Sequence, residues 1–280
     1  PTKFWSYWPA SPSYANNFIL YTNLATVYLK QGRQSEAEIY QRKSIELNPD
    51  SAESYAQLGT ILLNNGSLKD AESSLRKSID LKPDYAMAYI NLGTILLKLG
   101  SIDEAEQVTR KSIEIDSNID LSHSNLAAIL KDKGHLKLAE KSAIRAIEIN
   151  SNFALGYSNL GNIQKDLCKY NKAKESYERA IYLDPKKGDY YSNLGALFRD
   201  LGQPAEAKKY ISKAINLMPY SSLAHNNLGL TMRDLGNLKD AEKNLRKAIE
   251  LDETSILPLC NLSDLKGSKL DLISRDKLFD

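Results

Sequence analysis

Apolar and polar positions along this chain follow a helical rhythm that restarts at a constant distance. The phrase Asn-Leu-Gly occurs at Asn91-Leu92-Gly93, Asn159-Leu160-Gly161, Asn193-Leu194-Gly195 and Asn227-Leu228-Gly229. Looser copies are Asn23-Leu24-Ala25, Gln57-Leu58-Gly59, Asn125-Leu126-Ala127 and Asn261-Leu262-Ser263. Their third residues fall at 25, 59, 93, 127, 161, 195, 229 and 263, a spacing of 34 without a slip. A fixed period of this size marks stacked supersecondary units. In the unit 86–119, Ala86, Tyr89, Leu92, Gly93 and Leu96 share one helical face. Gly100 then suits a left-handed helix cap, and a second helix follows with Ala105, Val108, Ser112 and Ile113 inward.

With the third residue of the phrase taken as position 8, seven helix pairs are expected at 18–51, 52–85, 86–119, 120–153, 154–187, 188–221 and 222–255. Ser101 with Glu104, Ser67 with Asp70, and Asn237 with Asp240 have the form of capping boxes at second-helix starts. Pro204 fits a first turn. Asn48-Pro49, Lys82-Pro83, Asp184-Pro185 and Met218-Pro219 mark second-helix ends, because proline pushes its predecessor out of helical geometry. Ser117 and Ser151 replace that proline, which predicts softer stops in the third and fourth repeats. Cys168 replaces the turn glycine and predicts a locally different turn in the fifth. Small residues recur at position 8, at Ala37, Ala71, Ala105, Ala139, Ala173, Ala207 and Ala241, and at Ser44, Ser78, Ser112, Ala146, Ala180, Ala214 and Ala248. They leave room for a neighbouring helix.

Residues 1–17 lie outside the repeat phase and form an aromatic, proline-rich arm with Phe4, Trp5, Tyr7, Trp8 and Tyr14. Such an arm covers the exposed end of the first repeat or docks on a partner. Residues 256–280 read as a partial eighth repeat and capping segment, with Leu270, Leu272, Ile273, Leu278 and Phe279 expected to pack a final helix. The apolar ending at Leu278-Phe279 suggests a longer native product.

The chain resembles a tetratricopeptide repeat array. The resemblance rests on the aromatic slot (Tyr21, Tyr55, Tyr89, Tyr157 and Tyr191, with His123 and His225 in the fourth and seventh repeats), the Leu and Gly of the first helix, the turn glycine, the two small residues and the closing proline. It implies an all-α, right-handed superhelical solenoid of helix-turn-helix units whose first helices line a concave groove. It also implies ligand-facing residues at positions 2, 5, 9, 12 and 13, with position 6 often Asn. Here position 6 holds Asn23, Gln57, Asn91, Asn125, Asn159, Asn193, Asn227 and Asn261, an amide ladder similar to that of O-linked N-acetylglucosamine transferases. A carboxamide both donates and accepts, so a ladder of them can grip an extended peptide backbone. Equally, each amide can bond its own backbone or the next repeat. Position 12 changes from Leu29, Leu63 and Leu97 to Lys131, Lys165, Arg199 and Arg233, with Asp132, Asp166, Asp200 and Asp234 following the cations. This predicts either a basic stripe for acidic groups of a peptide or charge pairs between repeats. The Lys at position 5 that chaperone-tail carboxylate clamps use is missing.

Composition narrows the function. Net charge is +2, apolar content 42% and charged content 26%, which fits neither a dedicated nucleic-acid binder nor a membrane protein. Cys168 and Cys260 form no CxxC pair, which favours a reducing, cytoplasmic setting. No metal-ligand cluster, phosphate-cradling loop or catalytic constellation is expected, so neither a cofactor nor an enzymatic activity is. His123 and His225 are expected as core residues, with His135 in a turn. The favoured function is a scaffold that captures a protein or peptide segment. The alternatives are the targeting half of a larger glycosyl- or sulfotransferase, and a self-associating module.

Overall fold

In the computed structural model the structure describes residues 17–265 and 267. The expectations for residues 1–16, and for Leu270, Leu272, Ile273, Leu278 and Phe279, lie outside the described residues. The described chain is all helical: α1 (Phe18–Lys30), α2 (Gln34–Leu47), α3 (Ala52–Asn64), α4 (Leu68–Leu81), α5 (Ala86–Lys98), α6 (Ile102–Ile115), α7 (Asp120–Asp132), α8 (Leu136–Ile149), α9 (Ala154–Asp166), α10 (Tyr170–Leu183), α11 (Gly188–Asp200), α12 (Pro204–Leu217), α13 (Ser222–Asp234) and α14 (Leu238–Leu251). A further helix, α15, covers 256–265. Odd-numbered helices open a repeat and even-numbered ones close it, as the period predicted. The chain divides into two compact units, Pro1–Ser142 and Ala143–Asp280.

The turns inside repeats share one geometry. In the third repeat the Gly100 amide donates to the Leu97 carbonyl at 3.1 Å and the Ser101 amide to the Leu96 carbonyl at 2.9 Å. These two bonds close the carbonyls that a helix end leaves open. Gly100 sits at φ +80° to make them. The fifth repeat corrects an expectation. Cys168 adopts φ +58°, and its amide still donates to Lys165 at 2.9 Å while Lys169 donates to Gln164 at 2.8 Å. The turn keeps its shape, and the strain falls on the cysteine backbone.

Two other expectations are corrected. Ser67 and Ser101 make no side-chain cap bond, whereas the Asn237 side chain accepts from the Asp240 amide at 3.2 Å. All three have ψ near 63–74°. At that angle the longer carboxamide reaches the amide and the hydroxyl falls short. Where ψ opens to about 102–106°, at Ser51 and Ser221, serine does cap. The stops without proline are not softer: α6 and α8 end in the same phase as the others. Asp116 Oδ1 accepts from the Asn118 amide at 2.9 Å and Asn150 Oδ1 from the Asn152 amide at 3.0 Å. The same side-chain turn forms at Asp184 beside Pro185, at 3.2 Å, so it shapes the exit with or without the proline.

In the first unit the core gathers Leu58, Leu62, Leu75, Leu92, Ile95, Leu96 and Ile129 around Ala71 and Ala105. In the second, Tyr177, Leu194, Leu197, Phe198 and Ile211 pack around Ala173 and Ala207, with Met232, Leu245, Leu262 and Leu265 beyond. The recurrent alanines are fully buried. Position 8 faces position 24 of the same repeat: a Cβ on Gly59 would meet Leu75 at 2.6 Å, and one on Gly161 would meet the Tyr177 ring at 2.6 Å. This explains the glycine, since the facing side chain occupies the space.

Candidate functional site

The first helices of successive repeats lie beside one another within each unit, and position 6 sits at their junction. In the first unit Gln57 Nε2 donates to Thr26 Oγ1 at 2.6 Å, Asn91 Nδ2 to Thr60 Oγ1 at 3.0 Å and Asn125 Nδ2 to Thr94 Oγ1 at 3.0 Å. In the second unit Asn193 Nδ2 donates to Ser158 Oγ at 3.3 Å, Asn227 Nδ2 to Ser192 Oγ at 3.2 Å and Asn261 Nδ2 to Asn226 Oδ1 at 2.8 Å. The acceptor is at position 9 of the preceding repeat in one unit and at position 5 in the other. The sequence supplies one or the other: where position 9 is Thr the amide goes there. Where position 9 is Ala196 or Leu230, Ser192 or Asn226 at position 5 takes over. In the fifth repeat both are polar. There Asn162 at position 9 accepts from the buried Tyr177 hydroxyl at 2.8 Å, and Ser158 receives Asn193.

Gln57, Asn91, Asn125, Asn193, Asn227 and Asn261 thus each bond the preceding repeat. Each bond uses one N–H of a group that carries two N–H and a carbonyl oxygen. Asn91, Asn125, Asn159, Asn193 and Asn227 are all half-buried. Exposed apolar side chains accompany them at position 2: Ile19 and Met87 in the first unit, Leu155 and Leu223 in the second.

The position-12 cations all have carboxylate neighbours. Lys131 Nζ lies 3.7 Å from Asp132, Arg199 3.4 Å from Asp200 and Arg233 3.5 Å from Asp234. Lys165 Nζ reaches across to Asp200 of the following repeat at 3.2 Å. Asp200 thus joins two cations from consecutive repeats. Of these four pairs only Lys165–Asp200 joins adjacent repeats; the other three are between sequence neighbours, and each partly exposed pair contributes under about 1 kcal/mol.

The histidines correct another expectation. His123 and His225 are half-buried, not core. His123 Nε2 lies 3.0 Å from the Ser117 carbonyl and His225 Nε2 3.0 Å from the Pro219 carbonyl. Tyr89 and Tyr191 donate their hydroxyls to the Pro83 and Pro185 carbonyls at 3.2 Å each. In these four repeats a flat ring with a donor at its tip reaches six residues back to the loop that ends the previous repeat, a bond that Tyr55 and Tyr157 do not make. A carbonyl only accepts, so Nε2 carries the hydrogen. This is why His substitutes for Tyr, and a sequence reading that saw only aromaticity missed it.

Among the described residues no group of three or more His, Cys, Asp or Glu is placed to hold a metal ion. No helix of the described residues is long and apolar enough to cross a membrane. Cys168 and Cys260 are free and exposed.

Family models described as tetratricopeptide repeat match residues 19–51, 40–73, 57–118, 154–187 and 187–254. No curated protein sequence matches the chain. Among solved structures, the crystal structure of the APC/C hetero-tetramer Cut9–Hcn1 is similar with a TM-score of 0.78 and 16% identity, over 86% of this chain and 48% of that one. The chain thus spans about half the length of that relative. A Parabacteroides merdae repeat protein is similar with a TM-score of 0.71 and 14% identity, over 89% of this chain and 98% of that one. Pseudomonas aeruginosa pilF follows with 0.62 and 17%, over 78% and 97%. At these identities the likeness is one of fold.

Proposed function

Because the chain belongs to the tetratricopeptide repeat family, whose fold is typically a non-catalytic scaffold that binds protein partners, we propose that the first-helix face captures an extended segment of another protein. The observation that carries this reading is the tethered amide ladder. Asn91 in one unit, and Asn193 and Asn227 in the other, are each held by one N–H to the repeat before, while Asn125 reaches both Thr94 Oγ1 and, at 3.4 Å, the Ile90 carbonyl. A side chain already fixed loses little freedom when a guest arrives, which favours binding. Its second N–H and carbonyl oxygen match the acceptor and donor of a peptide backbone. Ile19, Met87, Leu155 and Leu223 offer apolar contact beside the ladder. The cations Lys131, Lys165, Arg199 and Arg233 already face carboxylates, so acidic groups on the guest would compete with Asp132, Asp200 and Asp234 for them.

The test uses a peptide selected from a random displayed library on the whole chain. Replacing Asn125, Asn159 and Asn193 together by Ala should abolish its binding while helicity by circular dichroism persists. Unchanged affinity in the triple variant removes the ladder from the binding site. A cytoplasmic setting belongs to the same reading.

A further inference from the structure

The charge of the second helices differs from repeat to repeat. In the third repeat, residues 99–119 carry Arg110 and Lys111 against Asp103, Glu104, Glu106, Glu114 and Asp116. In the fifth, residues 167–187 carry Lys169, Lys172, Lys174, Arg179, Lys186 and Lys187 against Glu175, Glu178 and Asp184. In the sixth, residues 201–221 carry Lys208, Lys209 and Lys213 against Glu206 alone. The i,i+4 pairs show the same change. Glu precedes Arg at Glu38–Arg42, Glu72–Arg76 and Glu106–Arg110, the order reverses at Lys174–Glu178, and it returns at Glu242–Arg246, so the change is confined to the fifth and sixth repeats. In α12 the matching residues are Lys208 and Ser212, and the acid is gone.

Aromatic rings sit among these cations. Lys174 lies 5.8 Å from the Phe198 ring, Phe198 stacks on Tyr210 at 5.3 Å, and Lys209 lies 5.7 Å from Tyr210. This run ties α10 to α12 through α11. Arg179 covers Tyr182, which is 74% exposed, and Tyr220 in the turn after α12 is 82% exposed. Tyr191, Lys209, Tyr210, Ser212, Lys213 and Asn216 line a cleft of about 350 Å³. Exposed Tyr and Arg are the residue types that protein interfaces favour.

We propose that this face of α10 and α12 is a second docking surface, separate from the first-helix face, and that it takes an acidic segment of a protein partner with a carboxylate seated between Lys209 and Lys213. Charge complementarity selects the occupant. Lys209 and Lys213 stand one helical turn apart, and Lys209 Nζ also lies 3.8 Å from Glu206, an exposed pair with which a guest carboxylate would compete. Ser212 and Asn216 add hydrogen-bonding groups beside them. Glu175, Glu178 and Glu206 are spaced among the cations, so a guest with acids separated by neutral residues fits between them. A nucleic-acid strand, charged at every residue, would meet those carboxylates.

A fluorescein-labelled peptide of Glu residues separated by Gly-Ser spacers tests this by anisotropy, alongside labelled oligo-dT of equal charge. Binding of the peptide should weaken as salt rises from 50 to 300 mM, on the order of a Debye-length effect. Lys209→Glu/Lys213→Glu should weaken it by at least about tenfold. Lys209→Gln/Lys213→Gln should give a smaller loss, with the thermal midpoint unchanged. Asn193→Ala/Asn227→Ala should leave it within about twofold, which separates this surface from the amide ladder. Equal peptide affinity in the charge-reversed variant overturns the proposal. So does tighter oligo-dT binding lost in the same variant, which would make the surface a nucleic-acid site.

Discussion

Cys168 is the one described non-glycine residue in the left-handed region, and it offers a test of how these turns are built. Its φ of +58° matches the +70° to +80° of the glycines at Gly66, Gly100, Gly134, Gly202 and Gly236, and its turn bonds match theirs. A Cβ in this conformation costs roughly 1–2 kcal/mol. Glycine has more freedom to lose on folding, which takes back about 0.4–1 kcal/mol. Cys168→Gly should therefore stabilise the protein by about 0.5–1 kcal/mol. The exposed contact of Cys168 with the Tyr170 hydroxyl, which holds the Tyr170 pKa above its ordinary value, subtracts little. The reciprocal change is Gly202→Cys. A Cβ there meets nothing within 4 Å, so the loss comes from the backbone alone and should be of the same size. Urea titrations followed by circular dichroism read both as midpoint shifts of opposite sign at unchanged slope. A neutral or destabilising Cys168→Gly, with Gly202→Cys destabilising, would refute the argument and point to a stabilising role for the thiol.

Asn193→Ala and Asn227→Ala should each lose about 1 kcal/mol through the lost bond to Ser158 or Ser192, and Thr60→Val should weaken the first unit similarly by stranding Asn91; denaturant midpoints check all three. His225→Tyr should be tolerated, whereas His225→Phe removes the donor to Pro219 and should cost about 1 kcal/mol in the same assay. Lys133, at 2.7 Å, and Arg110, at 2.8 Å, hold the Glu106 carboxyl below the usual glutamate range. Its folded pKa being the lower one, this contribution is fully present above the unfolded value and fades as pH falls from about 4.3 through the folded value. Glu106→Gln should flatten the acid side of the stability curve, and an unchanged slope would contradict the assignment.

The period made helix positions legible, because every repeat restates the same apolar face and the same small residues. The prolines at Pro49, Pro83, Pro185 and Pro219 placed four second-helix ends correctly. What stayed hidden depends on reach and on register between repeats. Ser101 and Asn237 look alike as caps, and one bond length in the side chain separates them. The choice of Thr60 or Ser192 as amide acceptor pairs residues 31 or 35 apart, a relation visible only once helices are side by side. The exchange of Tyr for His at positions 123 and 225 is explained by a backbone carbonyl, which sequence does not display.

The most direct test of the central claim is side-chain amide NMR of the 15N-labelled protein titrated with the library-selected peptide. One N–H of Asn193 and of Asn227 should be protected from exchange before and after binding, and the other should shift as the peptide is added. Side-chain amides that stay unmoved, with all shifts confined to the second helices, would contradict it.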